Sequence, residues 1–152
     1  MITTTDWEEL VTTSHLDTVT KIKWLLEEED YEEAREGIVI LEETMSAAQK
    51  RSLKSQLERL MLHIIKWQHQ SQKRSTSWVR SIVNARIEIR KWQEEKPSFN
   101  NNFIYSLWND CFFNACEEAK AEMGLSRKDK FELNPLTWEQ VFEDEYLIEQ
   151  ND

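Results

Sequence analysis

The sequence has few of the residues that interrupt regular structure. Its 152 residues include only two glycines, two prolines and two cysteines. Glycine and proline are the residues that most often end helices and form turns. A chain with so few of them is therefore expected to be mostly helical, with few connections. A chain of this length is expected to form one domain over 1–152, with a core that needs no disulfide.

Segments that would direct the chain to a membrane are also missing. No apolar run approaches 18 residues, so we expect no membrane span. The chain opens with MITTT, which is polar, and an acid follows at once, which does not resemble a signal peptide. We therefore expect a cytoplasmic protein in which Cys111 and Cys116 are small buried side chains rather than a disulfide.

Motifs that support chemistry are absent as well. The sequence contains no HExxH, CxxC or GxSxG motif and no glycine-rich loop. We expect no cofactor, no metal ligand and no catalytic residue, and we favour a protein that is not an enzyme. One tentative buried pair is Glu42 with His63, if each faces inward from its own helix. An ordinary acid–histidine pair is the main interpretation, and a metal or acid/base site is the alternative.

Apolar residues recur every three or four positions along most of the chain, which predicts amphipathic helices. The pattern predicts an all-α, single-domain bundle of about five helices with a short C-terminal docking helix at about 137–145. The predicted helices cover about 6–28, with a break near Ser14, then 31–45, from 46 to at least 67, from 75–77 to 95, and from 98 or 100 to 123. Gly124 is expected to end the last of these.

Two of these helices should form a central antiparallel hairpin at about 47–95. Their inward residues keep a 4-3-4-3 spacing: Leu53, Leu57, Leu60, Ile64 and Trp67, then Trp78, Ile82, Ala85, Ile89 and Trp92. The box Ser46-Ala47-Ala48-Gln49 is expected to open the first helix of the hairpin. The preceding helix carries the apolar stripe Ala34, Ile38, Leu41 and Met45, with Gly37 marking a kink or a close helix approach.

The connection of this hairpin should form a structural corner. Trp67 is the last inward residue before it and Trp78 the first after it, so both indoles should lie beside the turn. Ser75 and Ser77 can cap the second helix. Arg74 can brace the corner by binding helix-end carbonyls or an acid.

Charge is distributed unevenly. Residues 1–47 contain three Lys/Arg and thirteen Asp/Glu, 48–96 contain twelve and four, and 97–152 contain four and twelve. A basic surface on the hairpin 48–96 would bind nucleic acid. The alternative is pairing of these cations with acids of the same chain. The tentative surface consists of Lys66, Lys73, Arg80, Arg86 and Arg90.

Several stretches together resemble one family. They are KIKWLLEEEDYEE (21–33), MSAAQKRSL (45–53), LKSQLERLMLHIIKW (53–67) followed by RSTSW (74–78), ACEEAKAEMGL (115–125) and LTWEQVFEDEYL (136–147). They resemble the DUF29 family of small all-helical proteins, mainly cyanobacterial, whose function is not established. Ser71 stands where the family often has proline, and Ile40-Leu41 where it often has an acidic pair. The resemblance implies a helical bundle and brings no catalytic residues.

These observations favour a non-catalytic, cytosolic protein–protein interaction module. Its partner would be another protein or a second copy. Exposed tryptophans such as Trp7, Trp24 or Trp92 would serve as anchors of an interface. The alternative is a nucleic-acid-associated protein that uses the basic hairpin 48–96.

Overall fold

In a computed structural model, the chain is described over residues 6–126 and 134–148 and is built from helices and turns. Within these residues there is no β-strand, which confirms the predicted all-α fold. The α-helices are α1 (Trp7–Thr13), α2 (His15–Glu27), α3 (Tyr31–His69), α4 (Thr76–Glu95) and α5 (Asn101–Glu122). A 3₁₀ turn at Ser71–Lys73 precedes α4, and a π-helical turn at Glu139–Glu143 follows α5.

Polar side chains fix the starts of all five α-helices. In each case a side-chain oxygen accepts a hydrogen bond from a backbone N–H of the first turn, which has no partner within the helix. The capping residues are Asp6, Ser14, Asp30, Ser75 and Asn100. The predicted break at Ser14 is confirmed, because Ser14 lies between α1 and α2 and caps α2.

The ends of two helices use left-handed backbone. Gly124 follows α5 with φ of 74°, as the sequence predicted. Glu29, in the turn between α2 and α3, has φ of 62°, which is uncommon for a residue with a side chain. The N–H of Asp30 donates to the carbonyl of Leu25 across this turn (2.9 Å), which ties the start of α3 to the end of α2.

The predicted helix boundary at Ser46 is wrong. Residues 31–69 form one continuous helix, α3, and Ser46 to Gln49 lie inside it. Ser46 and Gln49 fit a capping box, but the segment contains no proline or glycine to stop the preceding helix. The two alanines between them have the highest helix propensity of any residue. The local signal for a helix start is therefore overridden by continuation of the helix.

The chain separates into two compact units, Met1–Arg51 and Ser52–Asp152. The division falls within α3. The expectation that 1–152 behaves as one cooperative domain stays a prediction.

The first unit has a small core centred on the indole of Trp7. Trp7, Ile22, Leu25 and Ala34 are buried together. The Trp7 Nε1–H donates to Glu33 Oε1 at 2.8 Å, so the buried indole has its hydrogen-bond partner. The ring lies against Gly37, where a Cβ atom would stand 2.5 Å from Trp7 Cη2. Gly37 therefore permits the close approach of α1 to α3.

The second unit has a larger core built by three helices. The buried residues of α3 and α4 include those of the predicted 4-3-4-3 spacing, from Leu53 to Ile64 and from Ile82 to Ile89, and α3 adds Met61, Leu62 and Ile65. From α5 come Ile104, Cys111, Ala115 and Ala119. Small residues on α5 let its backbone come close to the leucines and isoleucines opposite.

The C-terminal segment covers this core with aromatic rings. Thr137 and Gln140 form a reciprocal capping box: Gln140 N–H donates to Thr137 Oγ1 (3.2 Å) and Thr137 N–H to Gln140 Oε1 (2.8 Å). Val141 is buried, and Trp138 stacks on Trp108 with ring centroids 5.7 Å apart. The π-helical turn, Glu139–Glu143, begins inside this box, and Leu147 beyond it is exposed.

The contact between Trp7 and Gly37 generates a stability prediction. Gly37→Ala should lower the free energy of unfolding by about 1–3 kcal/mol, because the new methyl group overpacks the Trp7 ring. Helix propensity alone would raise it by about 1 kcal/mol. Urea denaturation measures the change.

The control is the same substitution in a Trp7→Ala background. There the methyl group has room, and Gly37→Ala should be neutral or stabilising. An equal loss in both backgrounds would show that the ring contact is not the cause.

Candidate functional site

The structure places the predicted corner against the C-terminal segment. Trp67 is only 8% exposed, and its ring meets Tyr146 edge-on with centroids 5.6 Å apart. Arg74 Nε–H donates to the carbonyl of Trp67 at 2.9 Å, and its guanidinium lies 4.7 Å from the centre of the Trp67 ring. Arg74 thus binds one of the carbonyls that have no partner within the helix at the end of α3.

The other corner residues lie at the start of α4. Ser75 Oγ accepts from the backbone N–H of Trp78 at 3.3 Å, and Ser77 is exposed in the first turn. The half-buried Trp78 ring faces Lys66, whose Nζ is 4.7 Å from the ring centre. The same Nζ is 2.8 Å from Glu122 Oε2 on α5. Lys66 is therefore held by two internal contacts.

A cleft of about 620 Å³ opens beside this corner. It is lined by Trp67, Ser71, Arg74, Glu145, Tyr146, Leu147 and Ile148. The basic residue of this lining is Arg74, and its side chain is already hydrogen-bonded to the carbonyl of Trp67. Glu145 brings a negative charge to the same lining. The charges in the cleft are mixed, which does not favour one class of charged ligand.

The predicted basic surface is wrong for two of its five residues. Arg86 is half-buried, and it donates from Nε to the carbonyl of Val141 (2.8 Å) and from Nη2 to that of Gln140 (3.3 Å). Burial lowers the pKa of Arg86 from its ordinary value. Arg86 and Lys66 therefore support the fold. Lys73, Arg80 and Arg90 are exposed.

The predicted pair of Glu42 and His63 is also wrong. The pair required a turn that would bring two helices face to face, but both residues lie on the continuous α3 with several turns between them. Glu42 is exposed. His63 Nδ1 instead hydrogen-bonds with the carbonyl of Arg59 at 2.8 Å, and burial lowers the pKa of its imidazole.

Over 6–126 and 134–148, no three His, Cys, Asp or Glu side chains converge on a point that could hold a metal ion. Cys111 is buried in the core of the second unit, and burial raises the pKa of its thiol to about 12. A thiol with that pKa stays protonated near neutral pH and is a poor nucleophile.

An exposed apolar stripe runs along α3 in the first unit. Tyr31, Ile38 and Met45 follow one another at seven-residue intervals and are 61%, 46% and 46% exposed. The sequence pattern had placed Ile38 and Met45 in the core. They are exposed because α1 and α2 pack on the adjacent side of α3, which carries Ala34 and Gly37.

The tryptophans expected to be exposed anchors are distributed differently. Trp24 is 49% exposed, whereas Trp7 is buried and Trp92 is half-buried against Phe99. The expectation is therefore wrong for Trp7 and Trp92. The exposure of the stripe on α3 was not predicted, because the spacing of apolar residues indicates a helix face but not whether another element covers it.

Comparison with protein families assigns the chain. A family described as "Domain of unknown function DUF29" matches residues 20–147. The chain belongs to the DUF29 family. The DUF29 match includes the corner and the whole of α3, whereas α1 lies outside it.

The other comparisons give no further assignment for this DUF29 protein. Neither a curated protein nor a solved structure matches the chain. Among the helices of the described residues, none is both long enough and apolar enough to cross a membrane.

The contacts of Arg86 generate a second stability prediction. Arg86→Met keeps the apolar stem but removes the donor to the Val141 carbonyl. It also removes one of two donors to the Gln140 carbonyl, which also accepts from the Tyr146 hydroxyl at 2.7 Å. We expect the free energy of unfolding to fall by about 2–3 kcal/mol. Hydrogen exchange at the amides of 139–143 should accelerate with it. Urea denaturation and exchange mass spectrometry measure the two effects.

Arg90→Met is the matched control, since it removes the same group from an exposed position on the same helix. We expect it to change stability by less than about 0.5 kcal/mol. Equal effects of the two substitutions would contradict the role assigned to Arg86.

Proposed function

We propose that this DUF29 protein is a non-catalytic, cytoplasmic protein–protein interaction module. The observation that carries the proposal is the exposed stripe Tyr31, Ile38 and Met45 on α3. From here on we call these three residues, with Ala34 and Leu41 between them, the α3 seam.

The spacing of the α3 seam supports binding to another helix. Its residues fall at positions 31, 34, 38, 41 and 45, which alternate intervals of three and four. This is the spacing by which one helix inserts its side chains between those of a second helix. Leu41 and Ala34 lie toward the core of the first unit, so the seam borders a packed surface. A partner helix would bury the parts of Tyr31, Ile38 and Met45 that water now covers.

Exposing apolar side chains to water is unfavourable, and a partner that buries them would gain free energy. Isolated exposed apolar residues are ordinary on protein surfaces, but a series on one helix face is typical of a binding surface. Tyrosine and methionine are also enriched at interfaces relative to the rest of the surface.

Nucleic-acid binding is the weaker alternative. Lys73, Arg80 and Arg90 are exposed and could contact phosphates. The internal contacts of Lys66 and Arg86 leave fewer cations for that purpose. The net charge of −10 would also repel a polyanion at long range.

The proposal is tested by capture with matched variants. The immobilised chain is incubated with nuclease-treated lysate of the source organism, and bound proteins are identified by mass spectrometry. Ile38→Glu places a charge in the α3 seam and should reduce capture of the specific partner about tenfold, since a charge buried without a partner is costly. Val83→Glu is the control, because Val83 is also 46% exposed but lies on α4.

The proposal predicts at least one protein that wild type and Val83→Glu retain equally and Ile38→Glu does not. Equal retention by all three chains would contradict a role for the seam. Capture found only in a parallel incubation with untreated lysate would favour the nucleic-acid alternative instead. Circular dichroism and urea denaturation check that Ile38→Glu remains folded.

A further inference from the structure

We propose that the cleft beside the corner binds a zwitterionic α-amino acid with an apolar side chain. From here on we call it the corner cleft; its lining consists of Trp67, Ser71, Arg74 and residues 145–148. All of these residues belong to the second unit, so the proposal is independent of the α3 seam. The cleft volume of about 620 Å³ lies within the roughly 300–1,000 Å³ that is typical of small-molecule sites.

Arg74 supplies an ordered group for a carboxylate. Its Nε–H donates to the carbonyl of Trp67 at 2.9 Å, and its guanidinium lies 4.7 Å from the centre of the Trp67 ring, so the side chain is held from two sides. Among the described residues, no acceptor is hydrogen-bonded to its terminal nitrogens, Nη1 and Nη2. These two nitrogens form a planar fork that matches the two oxygens of a carboxylate. Because the fold already orders this arginine, little side-chain entropy remains to be lost on binding.

Glu145 supplies the opposite charge in the same cleft. It is exposed, and within 6–126 and 134–148 it forms no ion pair with Arg74. Both charges are therefore available to a ligand. A simple anion would be attracted by Arg74 and repelled by Glu145, and a simple cation would meet the reverse. A ligand that carries both a carboxylate and an ammonium group gains from both side chains.

The end of the described segment adds an apolar part to the lining. Leu147 and Ile148 are exposed, and a ligand side chain that covers them would remove apolar surface from water. Tyr146, between Glu145 and Leu147, donates its hydroxyl hydrogen to the carbonyl of Gln140 at 2.7 Å and packs edge-on against Trp67. These contacts fix the backbone that carries the acid and the apolar residues, so a ligand meets both together.

The ligand class is tested with four probes on the full chain. L-leucine carries both charges and an apolar side chain. N-acetyl-L-leucine lacks the ammonium group, L-leucinamide lacks the carboxylate, and glycine lacks the side chain. NMR titration follows the amide resonances of 71–74 and 145–148 and gives each dissociation constant. L-leucine should bind with a Kd below about 1 mM, and the other three probes at least about tenfold more weakly.

Two variants assign the two charges. Glu145→Gln should weaken binding of L-leucine about tenfold without weakening that of N-acetyl-L-leucine, which has no ammonium group to lose its partner. Arg74→Lys keeps the charge but loses the fork, so it should weaken L-leucine about tenfold without weakening L-leucinamide. Glu143→Gln is the matched control, because Glu143 is an exposed acid of the same segment outside the cleft lining. It should bind all four probes as wild type does.

Urea denaturation checks that the variants remain folded. If Arg74→Lys does not fold, the comparison of Glu145→Gln with Glu143→Gln decides the question, since both positions are exposed.

Several results would overturn the proposal. L-leucine that shifts none of these resonances at about 10 mM would show that the cleft is not a site for amino acids. Equal affinity for L-leucine and N-acetyl-L-leucine would show that the ammonium group is not recognised, and equal affinity for L-leucine and glycine would exclude the apolar contact. Equal weakening by Glu145→Gln and Glu143→Gln would indicate only the general charge of the segment. None of these results bears on capture through the α3 seam, so the proposed function is tested separately.

Discussion

The second unit of this protein depends on the burial of one apolar side of α3. Leu53, Leu57, Leu60 and Ile64 are fully buried there. Removing each such side chain from water contributes roughly 1.5–3 kcal/mol. The polar contacts of the unit are arranged round this core. Arg86, for example, reaches the carbonyls of the C-terminal segment only because that segment lies on the core through Val141.

The same helix has a different surface in the first unit. The residues of the α3 seam repeat at intervals of three and four, as the leucines of the second unit do, yet Ile38 and Met45 remain nearly half exposed. Two segments with the same apolar spacing therefore meet different surroundings. The exposed side chains of the seam, Tyr31, Ile38 and Met45, support the proposed binding of a partner helix.

Sequence reasoning predicted those features that depend on neighbouring residues or on regular spacing. Ser75 caps α4 as expected, because its side-chain oxygen can reach an N–H three residues on, and the expected break at Ser14 is present. The inward residues from Leu53 to Ile89 followed from helical spacing. The predicted helix start at Ser46 was wrong because a capping box starts a new helix only where the preceding helix has ended, and α3 continues through Ser46. The false pair of Glu42 and His63 followed from that one error.

Contacts between distant residues could not be predicted in the same way. No sequence pattern connects Arg86 with Val141, or Trp7 with Gly37, since each contact depends on how the packed elements meet. Exposure of the α3 seam likewise depends on which other elements pack on α3, and the spacing of its residues does not show this. The candidate site therefore became visible only with the structure, whereas the fold class was predictable from spacing and composition.

The most direct test of the account compares two tryptophans that differ in burial. Trp67 is 8% exposed at the end of the buried side of α3, and Trp24 is 49% exposed on α2. We expect Trp67→Ala to lower the free energy of unfolding by about 3–5 kcal/mol and Trp24→Ala by less than about 1 kcal/mol. A loss below about 1 kcal/mol at Trp67 would contradict the claim that burial along α3 holds the second unit together.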